Sequence, residues 1–195
     1  PPTPRNFSSA ASDVYKRQVC FGNDSNTFYV GAIYHLEKQG AVYKYQRNES
    51  WSETNKVLGK NHKENLGNSI QYYDGKLIVG SYNYMNATGA VYVYTDDLEL
   101  IQAIQPNVPE QSYFGGSVSA NKHGLLIGCY RQGAVYYYTY MNNEYKLAET
   151  ISDNAEWFGY SVYLNQAGDK AYVGCSKYNN ATGRFYAYSL LDSLL

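Results

Sequence analysis

The chain is short of charge, of cysteine and of long apolar runs. Charged residues make up 17% of its 195 residues, and 16 Lys and Arg against 17 Asp and Glu leave a formal charge of -1. A near-neutral chain has no field to attract nucleic acid or an anionic membrane, so neither is expected as a partner. No apolar run approaches the ~20 residues that span a bilayer as a helix, so this segment is not expected to insert directly into a membrane. The three cysteines, Cys20, Cys129 and Cys175, are an odd count, which a fully paired disulfide framework does not use. Helical periodicity is missing as well, since no window of that period survives between the apolar segments.

Tyrosine, by contrast, is abundant, with 24 residues. It suits a half-buried pleated surface, because the ring packs while the hydroxyl reaches water. The chain also repeats itself. Phe114 to Tyr138 opens on Phe-Gly and Ser-Val, runs through Leu125-Leu126-Ile127 to Gly128, and closes on Gly133-Ala134-Val135-Tyr136-Tyr137-Tyr138. The same order recurs from Leu66-Gly67 through Leu77 to Gly80 and Gly89 to Tyr94. It appears again from Phe158-Gly159 through Ala171 to Gly174 and Gly183 to Tyr188. The glycine that ends the apolar run falls at Gly31, Gly80, Gly128 and Gly174, in steps of 49, 48 and 46 residues. Strand-type segments with a period of roughly 40–50 residues predict an all-β chain built as the blades of a β-propeller.

Turn residues divide the third repeat into four strands, at about 116–120, 125–129, 134–140 and 145–151. In Ala90-Val91-Tyr92-Val93-Tyr94 the valines take one face and the tyrosines the other. Both faces are apolar, as expected of a sheet stacked between two others. Gly67, Gly115 and Gly159 sit where strands crowd together, and Gly89, Gly133 and Gly183 occupy a turn position that favours positive φ. Blades are read at 19–60, 66–107, 114–152 and 158–195, with too little chain after Tyr188 for a convincing last strand. Cys129 and Cys175 share one repeat position and read as small packing residues, with a cross-blade disulfide as the alternative.

Residues 1–18 break the pattern. Pro1, Pro2 and Pro4 oppose regular structure, and Ser8 to Gln18 resembles a translated sequencing adapter. Tyr15-Lys16-Arg17-Gln18 stands where the Phe-Gly pair belongs. These residues are expected to be a non-native or disordered leader that does not pack on the blades. The chain does not begin with Met and carries no secretory signal at its start, and it is read as a fragment.

Phe-Gly-x-Ser-Val, Leu-Ile-Val-Gly-Ser and Gly-Ala-Val-Tyr-Val-Tyr together resemble the FG-GAP repeat, the blade unit of integrin alpha-chain propellers and of many other surface proteins. The resemblance covers Val19 to Tyr188. It implies about four blades here, out of a ring that commonly closes with about seven. It also implies an extracellular or cell-surface setting.

Many such repeats hold calcium through Asp-x-Asp-x-Asp-Gly between strands one and two, because the ion needs 6–8 oxygen ligands. The matching loops here, Asn23 to Thr27, Tyr73 to Lys76, Asn121 to Gly124 and Asn165 to Lys170, lack that triplet. No metal or cofactor is expected. His35, His62 and His123 fall in separate loops, and Asp96-Asp97 reads as a solvated turn pair. No catalytic motif appears, so an enzyme is not expected.

The expected function is a non-catalytic binding or adhesion module for a protein or carbohydrate ligand. In integrin-like propellers the ligand face is built by the loops joining strands two to three and strand four to the next blade. Here those loops carry Tyr82, Tyr84, Tyr113, Tyr130, Arg131, Trp157, Lys177 and Tyr178, of the residue types enriched at binding hot spots. The remaining blades of the same chain are the other expected partner. The alternatives are a propeller enzyme, a hydrolase or lyase with its catalytic residues in missing blades, and a purely structural domain of a larger surface protein. Asn-x-Ser/Thr sequons at Asn23, Asn48, Asn86 and Asn180 mark candidate glycosylation sites, with Asn48, Asn86 and Asn180 the favoured ones. Millimolar calcium should leave the melting temperature unchanged. An upward shift reversed by chelator would show that these loops hold the ion.

Overall fold

The computed structural model of the chain describes residues 18–190. Residues 1–17, nearly all of the expected leader, lie outside the described residues. Gln18 does not belong to that leader. It pairs with Gly31, so the repeat starts at least one residue before its match at Val19.

The apolar runs between Gly- and Asn-rich turns form four antiparallel sheets. The first contains β1 (Gln18–Phe21), β2 (Thr27–Ala32), β3 (Ala41–Arg47) and β4 (Trp51–Leu58). The second contains β5 (Ile70–Tyr73), β6 (Lys76–Ser81), β7 (Ala90–Thr95) and β8 (Leu100–Ile104). The third contains β9 (Phe114–Ala120), β10 (Gly124–Cys129), β11 (Ala134–Met141) and β12 (Glu144–Ser152). The fourth, among the described residues, has three strands: β13 (Phe158–Leu164), β14 (Lys170–Cys175) and β15 (Arg184–Ser189). In every sheet the strands pair in chain order, as short connections dictate.

Three single-turn helices interrupt the loops between second and third strands: α1 (His35–Lys38), α2 (Tyr84–Ala87) and α3 (Tyr178–Ala181). They are not ordinary right-handed turns. Leu36 and Glu37, Met85 and Asn86, and Asn179 and Asn180 all have left-handed backbone angles, with φ between 44 and 57°. A glycine closes each turn, with φ of 82° at Gly40, 92° at Gly89 and 75° at Gly183. Gly133, which ends the corresponding loop of the third sheet, also has positive φ.

The sheets stack in chain order. Their first strands lie against one another, β1 on β5, β5 on β9 and β9 on β13. Three apolar clusters fill the three gaps. Tyr29, Val42, Leu66 and Leu77 lie between the first and second sheets. Ile78, Val91, Phe114 and Ile127 fill the next gap, and Leu126, Val135, Phe158 and Val173 the last. The period-2 alternation is what serves both sides: Val91 faces forward into one cluster and Tyr92 backward into another. The fourth strands β4, β8 and β12 are mostly exposed, as their mixed sequences require.

Backbone approach sets the spacing of the stack. A Cβ at Gly31, Gly80 or Gly128 would overlap the carbonyl oxygen of Gly67, Gly115 or Gly159 in the following sheet. Those partner glycines have φ of 89, 81 and 86°. Polar bonds follow the same seam: Ser69 Oγ donates to Gly115 O at 2.9 Å and Ser117 Oγ to Gly159 O at 3.0 Å. The pair Asp96-Asp97, read from sequence as a solvated turn, does lie in a turn with Asp97 exposed, and it also ties the second sheet to the first. Tyr29 OH donates to Asp96 O at 2.9 Å, and the buried Lys44 Nζ lies 2.8 Å from Asp97 Oδ1.

The end faces differ from a reading in which Val30, Val42 and Val173 would be left uncovered. All three are buried: Val42 and Val173 face the neighbouring sheet, whereas Val30 lies on the outer face of the first sheet, paired with Val19 and Tyr43, and is 2% exposed there. The exposed apolar residues at the ends are Val19 and Phe21 on β1, and Tyr163 and Phe185 on the fourth sheet.

Gly128 meets a neighbouring backbone, whereas an added Cβ at Gly174 meets only the terminal hydroxyl of Ser161. Gly128→Ala should therefore cost about 3 kcal/mol, the upper end of the usual overpacking range, because the atoms it meets cannot rotate away. At roughly 2–4 °C per kcal/mol for a chain of this size, its melting temperature should fall clearly further than that of Gly174→Ala. Equal losses in thermal denaturation would remove the seam from the argument.

Candidate functional site

At one rim, loops of the second and third sheets and the entries to the third and fourth position a continuous set of rings. Residue 113 and residue 157 precede Phe-Gly, where the chain turns into its next sheet with positive φ: 60° at Tyr113 and 62° at Trp157. Asn65 has 58° at the same place in the second sheet. Asn tolerates this region, but a bulky aromatic residue adopts it at a cost of roughly 1–3 kcal/mol. The surrounding turn holds it. Ala155 N–H donates to Asp153 Oδ1 at 2.7 Å, and Phe158 N–H to Ala155 O at 3.0 Å. Tyr82 and Tyr130 follow β6 and β10 directly, so the strands fix where they begin.

From these anchor points the rings overlap in sequence. Tyr82 meets Tyr113 edge-on at 5.4 Å between centroids, and Tyr113 meets Tyr130 at 5.3 Å. Tyr130 meets Trp157 at 5.4 Å and Tyr160 at 5.3 Å, and Trp157 stacks on Tyr160 at 5.2 Å. Such pairs contribute about 0.5–1.5 kcal/mol beyond the area they bury. Two cations lie over the row: the Arg131 guanidinium 5.7 Å from the Tyr113 ring centre, and Lys177 Nζ 4.2 Å from that of Trp157. The buried indole Nε1 of Trp157 meets no acceptor among the described residues.

Two clefts flank Tyr130 and Trp157. One, about 460 Å³, is walled by Arg131, Gln132, Asp153 and Glu156. The other, about 390 Å³, has Tyr82, Tyr130, Trp157 and Tyr160 as its walls and Asn68, Ser117 and Ser161 among its polar lining. Among the described residues the second is lined by no ionised side chain, so the recognition chemistry they offer is hydroxyl, amide and ring.

Six of the eight residues expected from sequence thus come together: Tyr82, Tyr113, Tyr130, Arg131, Trp157 and Lys177. Tyr84 and Tyr178 open α2 and α3 and take their contacts elsewhere. Tyr84 OH accepts from Gln105 at 3.2 Å and its ring packs on Tyr92, while Tyr178 OH accepts from Arg184 at 3.0 Å. Tyr160 belongs to the row but was not expected. Its signal was available, since it follows Phe158-Gly159 at the place held by Asn68 and Gly116 in the other repeats.

The sequons are all exposed at Asn23, Asn48, Asn86 and Asn180. Asn86 Nδ2 donates to Glu110 Oε1 at 3.0 Å. The histidines stay apart: His35 in α1 bonds Tyr43 OH at 3.0 Å, and His62 lies 4.0 Å from Glu37. Among the described residues no group of three or more His, Cys, Asp or Glu is placed to hold a metal. All three cysteines are free thiols.

Burial pushes the hydroxyls of Tyr130, Tyr138 and Tyr145 from 10.0 up to about 12. Between these values the unfolded chain binds fewer protons than the folded one, so stability is full below pH 10 and lost as pH rises toward 12. Melting temperature should fall steeply from pH 10 upward. A flat alkaline profile would mean that these rings are hydrated. No protein-family model matches the chain, and no curated protein matches it.

Proposed function

We propose that this chain is a non-catalytic recognition module whose binding surface is the aromatic row from Tyr82 to Tyr160. Its four sheets are read as blades of an FG-GAP, integrin alpha-like β-propeller, about seven-bladed when complete. Two features support this reading: the near-constant repeat, and first strands that lie side by side while the fourth strands face water. The exposed sequons fit an extracellular or cell-surface glycoprotein, as in adhesion. The ligand is a protein or a carbohydrate.

One observation carries the functional reading. Residues from three sheets and from two kinds of loop converge on one rim, at the cost of a left-handed backbone under Tyr113 and Trp157. Packing alone does not require that strain, because Asn65 serves the same turn in the second sheet without an aromatic ring. Loops held on a rigid β scaffold are where recognition residues concentrate.

The labelled chain should bind saturably to at least one member of a panel of immobilised glycans and extracellular-matrix proteins. Trp157→Asn, which installs the residue the chain already uses at position 65, should keep the fold and weaken binding about tenfold or more. Tyr84→Ala and Tyr178→Ala should leave binding intact. If Trp157→Asn binds like the parent while Tyr84→Ala does not, the surface lies elsewhere.

A further inference from the structure

The cleft walled by Tyr82, Tyr130, Trp157 and Tyr160 repeats one polar residue across three sheets. Ser69 leads into β5, Ser117 lies in β9 and Ser161 in β13, and all three line it. Ser69 and Ser117 donate to the carbonyls of Gly115 and Gly159, which leaves their oxygens able to accept. Tyr82 and Tyr130 are half-buried, and Tyr160 is 38% exposed. Burial pushes the Tyr130 hydroxyl up to about 12, so it stays a neutral group at ordinary pH. Charge is kept outside. Arg131 lines the neighbouring cleft with Asp153 and Glu156, and Lys177 Nζ lies over the Trp157 ring. None of the four lines this cleft.

Trp157 supplies a second, independent observation. Its Nε1–H is enclosed and meets no acceptor among the described residues. Two other enclosed polar atoms there lack a bond, but each faces a polar group: Asp96 lies beside Tyr72, and Tyr92 beside Glu64. The Trp157 ring instead has Tyr130 and Tyr160 as neighbours, with the Lys177 ammonium above it. An unmatched buried donor costs about 1–3 kcal/mol, and native proteins leave few of them. A ligand oxygen, met by a small turn of the indole toward the cleft, would remove that cost.

We propose that this cleft takes a neutral oligosaccharide. The inference rests on the reading of the aromatic row as a binding surface, and it names the ligand class. A sugar ring carries C–H groups on its face and hydroxyls around its rim. The face packs on Tyr82 and Tyr160, whose rings are apolar with a polar tip. The rim hydroxyls donate to Ser69 and Ser117 Oγ, and a sugar oxygen accepts from Trp157 Nε1. An ionic group would lose its hydration without finding a counter-charge. A purely apolar side chain from a protein would leave the serines and the indole unmatched. The row crosses three sheets, so the ligand is a chain of sugars rather than a single ring.

The test reads the indole N–H signals of the nitrogen-15-labelled chain. It has 2 tryptophans, and Trp51, packed on Phe28 at 4.7 Å in the first sheet, is the internal control; Trp51→Phe assigns the pair. The probes are cellotetraose, chitotetraose, mannotetraose and galactotetraose, with a sulfated heparin tetrasaccharide for comparison. At least one neutral probe should shift the Trp157 signal saturably and leave Trp51 unmoved. Its Kd should change less than about twofold with added salt, because a neutral ligand has no charge to screen. Trp157→Phe, which keeps a ring and removes the donor, should weaken binding about fivefold, and Trp157→Asn should weaken it further. Binding of the heparin fragment or of a matrix protein, but of no neutral probe, would overturn the inference and leave the row as the binding surface if Trp157→Asn abolishes it. A neutral probe that moves only Trp51, or no response of Trp157 to any sugar or matrix protein, would overturn both.

Discussion

Neighbouring sheets of this chain meet backbone to backbone, and everything else in the stack is arranged around that approach. A carbonyl oxygen of one sheet occupies the volume that a side chain would need on the sheet before it. Only glycine leaves that volume empty, and only a residue free to take positive φ turns its carbonyl that way. Both halves of the contact are therefore glycines, at Gly31 and Gly67, Gly80 and Gly115, and Gly128 and Gly159. The short distance they set lets Ser69 and Ser117 reach across with a side chain of a single carbon. It also brings rings on successive sheets within the 5–6 Å at which they interact.

The apolar clusters stabilise the stack, but they do not by themselves specify its spacing. Leu, Ile and Val pack at many separations with small changes of rotamer. The glycine pairs admit one separation, and the buried Phe or Leu beside each pair locks it. Polar links add register. Asn68 Nδ2 donates to the carbonyls of Gly115 and Gly116, both at 3.0 Å, while its Oδ1 accepts from Tyr82 N–H. One side chain thus ties the second sheet to the third and sets the base of the first ring in the row.

Much of this was legible in the sequence. The strand runs of the third repeat, the positive φ at Gly89, Gly133 and Gly183, and the wetter fourth strands all follow from local pattern, because each depends on residues a few positions apart. The reason for Gly31, Gly80 and Gly128 did not, since it lies in a carbonyl roughly 35 residues further along the chain. Face assignment failed for Val42 and Val173, which lie against neighbouring sheets, for a related reason: alternation says which residues share a face, not which face meets a neighbour. Tyr84 and Tyr178 looked equivalent to Tyr82 and Tyr130 by composition. A left-handed turn, invisible to residue counting, carries them away from the row.

The aromatic row crosses sheets that otherwise touch only their immediate neighbours. A linear stack of this kind opens from its ends, each sheet with its own free energy, rather than all at once. Tyr82 sits on the second sheet, Tyr113 and Tyr130 on the third, and Trp157 at the threshold of the fourth. Whatever lies along the whole row bridges two seams at once. The rim then acts as a clasp, and its occupancy converts a graded, stepwise opening into a more cooperative one.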